Sequence, residues 1–262
     1  MSSTEAVRLA STAALARAPG PDSESQRTTV ADEVYQKLRS RLIAGMLVPA
    51  QKLTLRGLAE EFGTSVMPVR DAVRRLCAQG GLQLNTNRTI QVNAPNSLQF
   101  EEMLKIRIAL EGLACESAVK RMKDAEISRI RQFEQRFARE ALRLRPNPEV
   151  LARVNRDFHF AIYRASHMPQ LISLIENLWV QVSPVLTLAI RHTAQGLTMR
   201  DSMRHHTRLI ESISKRDAVR SRQALMADIR EAGDLILRSG LLGQYDDRKA
   251  GENAGRRQHR IS

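Results

Sequence analysis

The chain has 262 residues, of which 42% are apolar and 26% are charged. This is the composition of a globular protein of one or two domains, and it excludes a wholly disordered chain. No segment is uninterruptedly apolar over the roughly 18 residues of a membrane span, and the N-terminal region lacks the apolar core of a signal peptide. Two cysteines cannot form a disulfide framework, so we expect a protein of the reducing cytoplasm.

The chain is strongly basic, with 41 Lys+Arg against 28 Asp+Glu and a net charge of +13. Such an excess attracts polyanions, which favours a nucleic acid as partner. Residues 30–95 hold only nine basic and five acidic side chains, however, so most of the excess lies further along the chain. The net charge therefore gives only weak support for a nucleic-acid partner, and the sequence motifs are the stronger evidence.

Residues 29–95 are predicted to form a small N-terminal domain that begins with three helices. Apolar residues recur every four positions from Val30 to Met46, which indicates the first helix. Thr54 and Ser65 are N-cap residues by type and position, and they predict the starts of the second and third helices.

A β-hairpin is predicted behind these helices. Leu82–Leu84 and Ile90–Val92 are two short stretches of alternating apolar and polar residues, joined by a polar connection at 85–89. Three helices followed by a hairpin are typical of a winged helix-turn-helix domain, in which the third helix enters the major groove of DNA.

The N-terminal end of the third helix should supply the DNA contacts. Arg70 can make a bidentate contact to guanine, which only a planar guanidinium makes well. Arg56 in the preceding helix and Ser65 at the positive helix N-terminus suit phosphates. Arg88 at the hairpin tip suits the DNA backbone or a minor groove.

The rest of the chain is predicted to be helical, so that the fold class is mainly α. Residues 97–240 show the pattern of an all-α bundle of six or seven helices. Pro184 should kink or break the long apolar run from 171 to 190. Residues 1–28 are predicted to be a disordered arm, and residues 241–262 a flexible tail.

The N-terminal domain resembles the GntR family of bacterial transcription regulators over residues 30–93. The resemblance rests on two segments, LRGLAEEFGTS at 55–65 and PVRDAVRRL at 68–76. In the wing, Thr89 stands where the family often has glycine, so a different wing tip is expected. The resemblance implies DNA contacts by Arg56, Ser65, Val66, Met67, Pro68 and Arg70.

The C-terminal region resembles the FCD effector-binding domain of the FadR subfamily over about 97–238. The segment NRDFHFAIYRAS at 155–166 carries the resemblance, and IRIALE at 106–111 and HTRLI at 206–210 extend it. The resemblance implies a helical domain that binds a small-molecule effector.

Many FCD domains hold a divalent metal in the bundle, and the resemblance implies such a site for Zn, Ni or Mn. Its ligands would be Asn155, His159, His206 and Asp228. Asn155 replaces an acid and Asp228 replaces a histidine of the family pattern, so the metal should bind more weakly than at a three-histidine site. The alternative is a metal-free polar pocket in which these side chains hydrogen-bond the effector directly.

Arg107 is a further effector-binding candidate, beside Asn155, His159 and His206. At its position the family often directs an arginine inward, where it can clamp a carboxylate. The alternative is a surface arginine on an amphipathic helix. His205 is about 100° from its neighbour along the helix, so we expect it to face solvent.

These features together predict a ligand-responsive transcription repressor, without catalytic residues, that binds a palindromic operator as a homodimer. Its C-terminal domain would sense a small carboxylate, and it would lie in the cytoplasm, at the nucleoid when DNA-bound. One alternative is an all-α metalloenzyme using the two-His/one-Asp pocket, although the paired Glu-x-x-His motifs of di-iron bundles do not occur. Another is a basic RNA-binding or architectural protein, which would leave the recognition-helix motif unexplained.

Overall fold

The structure is a computed structural model that describes residues 29–85, 89–193 and 198–243, with the backbone alone at 193, 198 and 199. The predicted arm at 1–28, the predicted DNA contact Arg88 and the chain beyond residue 243 lie outside these described residues. The described chain is mainly α-helical, as predicted. We refer to residues 29–95 as the head and to residues 97–243 as the bundle.

The head contains three helices and a small sheet. Its helices are α1 Val30–Ile43, α2 Leu55–Phe62 and α3 Val66–Ala78. Its strands are β1 Lys52–Leu53, β2 Leu82–Leu84 and β3 Ile90–Val92, which pair antiparallel in the order β1-β3-β2. The hairpin prediction is confirmed. Strand β1 was not predicted, because two residues are too few to show alternation.

The turn between α2 and α3 follows from its capping residues. The Thr54 hydroxyl accepts a hydrogen bond of 3.0 Å from the backbone N–H of Gly57, which starts α2. Gly63 ends α2 with a φ of +64°, in the left-handed region that favours glycine. Ser65 is the N-cap of α3 by its extended backbone, yet its side chain makes no capping hydrogen bond. Its hydroxyl is therefore available to a ligand.

The bundle contains six helices within the described residues. They are α4 Ser97–Val119, α5 Asp124–Ala141, α6 Pro148–Arg164, α7 Pro169–Thr193, α8 Thr198–Ser214 and α9 Ala218–Arg238. Helix α9 packs along α4 and α8, and α6 packs along α5 and α7. The largest buried side chains of the main cluster come from α6 and α7, and they include Phe158, Tyr163 and Trp179.

Pro184 was predicted to kink or break the apolar run, and the break is wrong, because helix α7 runs without interruption through this residue. Proline removes one backbone hydrogen bond, but the buried neighbours Val182 and Val185 hold both halves of the helix in the apolar interior. By length and composition, Pro169–His192 could cross a membrane, but 50% of that window is buried inside the protein, as in the core helix of a globular domain.

The same helix forms the junction between bundle and head. Val180 belongs to the apolar cluster of the head. Thr187 lies so close to Gly45 that a Cβ at this glycine would be 1.7 Å from its hydroxyl oxygen. Arg39 of α1 forms an ion pair of 3.0 Å with Glu176. Apolar packing, close approach and charge therefore fix the head against α7.

The bundle extends slightly beyond its predicted end. Leu241 and Leu242 are 5% and 2% exposed and pack in a cluster with Phe100 and Ile236. Residue 241 therefore does not begin a flexible tail. The reason is Gly240, whose φ of +71° turns the chain back onto the bundle.

Gly45→Ala is expected to destabilise the protein more than Gly63→Ala. Both glycines have φ near +65°, at +65° and +64°, which costs an L-residue about 1–2 kcal/mol. Only at Gly45 would the new Cβ collide with Thr187, since no atom of the described residues lies within 4 Å of the Cβ position of Gly63. We expect Gly45→Ala to lose about 1–3 kcal/mol more in urea unfolding, which is the cost of overpacking. Equal losses would show that the junction is not close-packed.

Candidate functional site

The first candidate surface is the N-terminal end of α3. Ser65, Met67 and Arg70 are exposed there, with Met67 at 66%. Val66 is half-buried against the core of the head, and Pro68 is half-buried beside it. The structure thus presents one hydroxyl, one thioether and one guanidinium outward.

Two arginines, one on this surface and one on α2, have no internal partner among the described residues. Arg56 and Arg70 are exposed, and neither forms a hydrogen bond or ion pair among the described residues. Arg75 of the same helix is different, because it pairs with Asp32 at 2.7 Å and stacks 3.9 Å from the ring centre of Tyr35. Arg75 therefore stabilises the head, whereas Arg56 and Arg70 can bind an external anion.

The second candidate site lies inside the bundle, where His159, His206 and Asp228 meet. They come from α6, α8 and α9, and their ligand atoms lie within 4.8 Å of one another. The Asp228 Oδ2 atom is 3.3 Å from His159 Nε2 and 3.9 Å from His206 Nε2. All three side chains are buried, so they form one polar cluster in an apolar interior.

His206 is the most unusual member of this cluster. Both of its ring nitrogens are buried without a hydrogen-bond partner among the described residues. Burial lowers the pKa of His206 to about 4, because the charged imidazolium would lose its hydration. Burial alone would raise the pKa of Asp228, but the hydrogen bond from His159 and the neighbouring histidines lower it. The cluster thus offers neutral imidazole and anionic carboxylate at neutral pH.

A buried hydrogen-bond network contacts His159 on the side opposite to Asp228. The Tyr163 hydroxyl lies 3.1 Å from His159 Nδ1 and donates a hydrogen bond to Glu111. Glu111 also accepts from Trp179 Nε1 at 3.1 Å and from Arg107 Nε at 2.7 Å. Because Nδ1 of His159 is engaged on this side, its Nε2 faces the cluster.

Arg107 is directed inward, as the resemblance implies, and the surface alternative is wrong, since Arg107 is 4% exposed. Its guanidinium is occupied, however, by Glu111 one turn along the same helix and lies 5.1 Å from the ring centre of Trp179. A ligand carboxylate could take this position only by displacing a buried ion pair. Glu111 could not be predicted from the sequence, because an Arg and a Glu four residues apart are equally typical of a helix surface.

A cavity of about 170 Å³ opens beside the cluster. Asn155 and Asp228 line it, whereas His159, His206 and Arg107 do not. Asp228 is therefore the residue that the cluster and the cavity share. The remaining lining residues come from four helices and are Phe137, Leu186, Ala189, Ile190, Asp201, Ser202, His205, Glu231, Ala232, Leu235, Ile236 and Arg238.

His205 does not face solvent, contrary to the expectation from its angle to His206. It is 6% exposed, and its Nε2 is hydrogen-bonded to Glu231 of α9. The reason is that α9 packs along α8 and covers this side as well.

Two protein-family models match this chain, one in the head and one in the bundle. The model of the gntR family of bacterial regulatory proteins matches residues 30–92, and the FCD domain model matches residues 102–231. The HTH-type transcriptional regulator McbR of Escherichia coli is 28% identical over 205 residues, which cover 78% of this chain and 91% of McbR. A probable D-xylose utilization operon transcriptional repressor of Paenarthrobacter nicotinovorans is 27% identical over 76% of this chain and 85% of the relative.

The fold is similar to solved structures as well. The structure of E. coli McbR/YncC matches with a TM-score of 0.74 and 25% identity, over 80% of this chain and 98% of that chain. A GntR regulator from Rhodococcus has a TM-score of 0.65 at 17% identity, over 79% of this chain and 97% of that chain, and it supports the fold alone. The winged helix-turn-helix head and the FCD bundle thus occur together in relatives named as regulators. The chain belongs to the GntR family of bacterial DNA-binding transcription regulators, and its C-terminal part is an FCD domain.

Proposed function

We propose that this regulator is a repressor whose operator affinity changes when a small carboxylate enters the bundle cavity. The observation that carries the proposal is the buried cluster of His159, His206 and Asp228 beside that cavity, in the same chain as an outward-facing Arg70. We further propose that the DNA-binding domain spans 29–95, and that the effector domain spans 97–240 and continues into the packed Leu241 and Leu242. We also propose that the protein lies in the cytoplasm, and at the nucleoid when it is bound to DNA.

The DNA contacts follow from exposure and chemistry. Arg70 is placed one turn into α3, where a guanidinium can reach the edge of a guanine. Arg56, Ser65 and the N-terminus of α3 are suited to phosphates, which fix the register. Met67 can contact a thymine methyl group. Val66 and Pro68 contribute chiefly through packing, and Arg88 is proposed as a wing contact.

Arg70→Ala should lose sequence-specific affinity for the operator, whereas Arg56→Ala should lose affinity for DNA of any sequence. On an operator selected from random duplexes, Arg70→Ala should cost about 1–3 kcal/mol and flatten the preference at one base pair. Arg56→Ala should weaken operator and random DNA alike and reduce the salt dependence by about one charge. Fluorescence anisotropy over a salt series measures both effects, with Arg74→Ala as the control on the same helix. Equal losses of both variants on both DNAs would contradict these roles.

The cluster fits a divalent metal. Its donor set is two imidazoles and a carboxylate, and both nitrogens of His206 lack a hydrogen-bond partner among the described residues. Zn, Ni and Mn accept such ligands. When bound, the metal would supply a positive charge that a carboxylate effector can approach. Asn155 lines the cavity beside Asp228 and can contribute its amide oxygen to the metal or hydrogen-bond the effector.

His206→Ala and Asp228→Ala should each lower zinc affinity by more than the about 10–100-fold that loss of an outer hydrogen-bond partner costs. Tyr163→Phe, which removes such a partner of His159, should fall within that range. His205→Ala is the matched control, because its imidazole pairs with Glu231 outside the cluster. Isothermal titration with ZnCl₂ measures all four. Unchanged affinity in the first two variants would favour the metal-free polar pocket.

The effector is proposed to be a carboxylate for two reasons. A metal would be the only element of the cluster that binds an anion, and Arg238 is the one cation in the cavity lining within the described residues. Asn155, His159 and His206 are its proposed contacts. Arg107 is proposed to act on it through Glu111, since that pair is buried and intact. Loss of Arg107 would leave a buried unpaired carboxylate, which is strongly destabilising.

A homodimer is proposed from the apolar surface of the bundle. Ile106 and Leu113 of α4 are 40% and 42% exposed, and Leu174 of α7 is 54% exposed. Helices α4 and α7 pack against each other, so these side chains lie on adjacent elements. Two copies meeting here by two-fold symmetry would bury them and present two heads to a palindromic operator.

Leu113→Glu should therefore shift the protein from dimer to monomer in sedimentation velocity at micromolar concentration. The new carboxylate would be desolvated at the two-fold interface, and its copy on the partner would repel it. Leu144→Glu is the control, because Leu144 is 98% exposed in the connection between α5 and α6. A monomeric wild type, or dissociation of the control alone, would refute this interface.

A further inference from the structure

The cavity has an apolar wall along α7 and α9, and polar side chains at its ends and along α8. Four of its lining residues from α9 lie on one side of that helix, at positions 228, 232, 235 and 236. At a rise of about 1.5 Å per residue, the stretch from Asp228 to Arg238 spans about 15 Å. Asp228 thus marks one end, Arg238 marks the other, and Ala232, Leu235 and Ile236 lie between them.

Helix α7 supplies a matching apolar wall. Leu186, Ala189 and Ile190 line the cavity and follow the spacing of one helix face. Phe137 of α5 adds a ring. None of these side chains can hydrogen-bond, so a hydroxyl group placed against them would lose its bonds to water without replacement.

The charged residues at the α8 side are already paired with one another. Arg204 lies 3.2 Å from Asp201 and 3.6 Å from Glu231, and His205 is hydrogen-bonded to Glu231. These groups therefore provide few free partners for a polyhydroxylated ligand. Among the described lining residues, Asn155, Ser202 and Arg238 have no side-chain hydrogen bond or ion pair, and Asn155 shares the cluster end of the cavity with Asp228.

From this division we infer that the effector is an amphipathic acid, with an oxygen-bearing head at Asn155 and Asp228 and an aliphatic or aryl chain along α7 and α9. The inference rests on the proposed function and narrows its ligand class, because it excludes sugar acids and other polyhydroxy acids. Leu235 is assigned as a specificity-determining residue of the chain-binding wall.

A homologous series of acids tests the inference. Full-length protein with ZnCl₂, and in parallel with chelator, is titrated with acetate, butyrate, hexanoate and octanoate, and with gluconate and glucarate. Burial of each methylene should tighten binding about three- to fourfold until the cavity is filled. The sugar acids should bind more weakly than hexanoate, and the acids that bind should change operator affinity.

Variants of the wall give the second part of the test. Leu235→Gln should remove most of the gain in affinity with chain length, and Leu235→Ala should reduce it. Leu144→Gln is the matched control, since Leu144 is 98% exposed between α5 and α6 and does not line the cavity. Operator binding by each ligand-free variant verifies that it has folded.

The outcomes separate the inference from the proposed function. Affinity that does not rise with chain length, or tighter binding of gluconate or glucarate with a change in operator affinity, overturns the amphipathic ligand and leaves the carboxylate-responsive regulator intact. If no acid binds with or without zinc, both the inference and the carboxylate effector are refuted.

Discussion

The buried carboxylate of Glu111 is the group on which the interior of the bundle depends. It is fully buried, and a carboxylate there is stable only because Arg107, Tyr163 and Trp179 all direct hydrogen-bond donors at it. These partners lie on α4, α6 and α7, so one charge holds three helices in register. Through Tyr163 it also orients His159, whose Nε2 is thereby left for the cluster with Asp228.

The same interaction ties the site to the DNA-binding head. Trp179, which donates to Glu111, is followed directly by Val180, which packs in the apolar core of the head. A Cβ at Gly81 of the head would lie only 2.4 Å from a methyl group of Val180, so the two parts are in close contact here. Because packed interfaces have discrete arrangements, a shift in the position of Glu111 would alter the contact between Val180 and Gly81.

The sequence was sufficient to predict the fold class and the helix-turn-helix with its hairpin, because each depends on local pattern or motif. The family resemblance implied Asn155, His159, His206 and Asp228 as ligands, and the last three converge in the structure. Asn155 lines the adjoining cavity. Residues whose environment is set by other helices were not predictable. Glu111 looked like half of a surface ion pair until α6 and α7 buried it, and His205 was expected in solvent until α9 covered it. Pro184 was expected to kink or break a helix that tertiary packing keeps continuous.

Helix α7 has the geometry that a ligand-responsive regulator needs. Leu186, Ala189 and Ile190 line the cavity, whereas Thr187 of the same turn contacts Gly45 of the head. A ligand that fills the cavity would therefore press on one side of a helix whose other side positions α1 and, through it, α3. Such a ligand changes operator affinity only if it binds one arrangement of α7 better than the other, and a ligand with equal affinity for both would shift nothing. The response must therefore come from ligand contacts that differ between the two arrangements. The apolar wall of α7 can provide such contacts, because the head packs against this same helix.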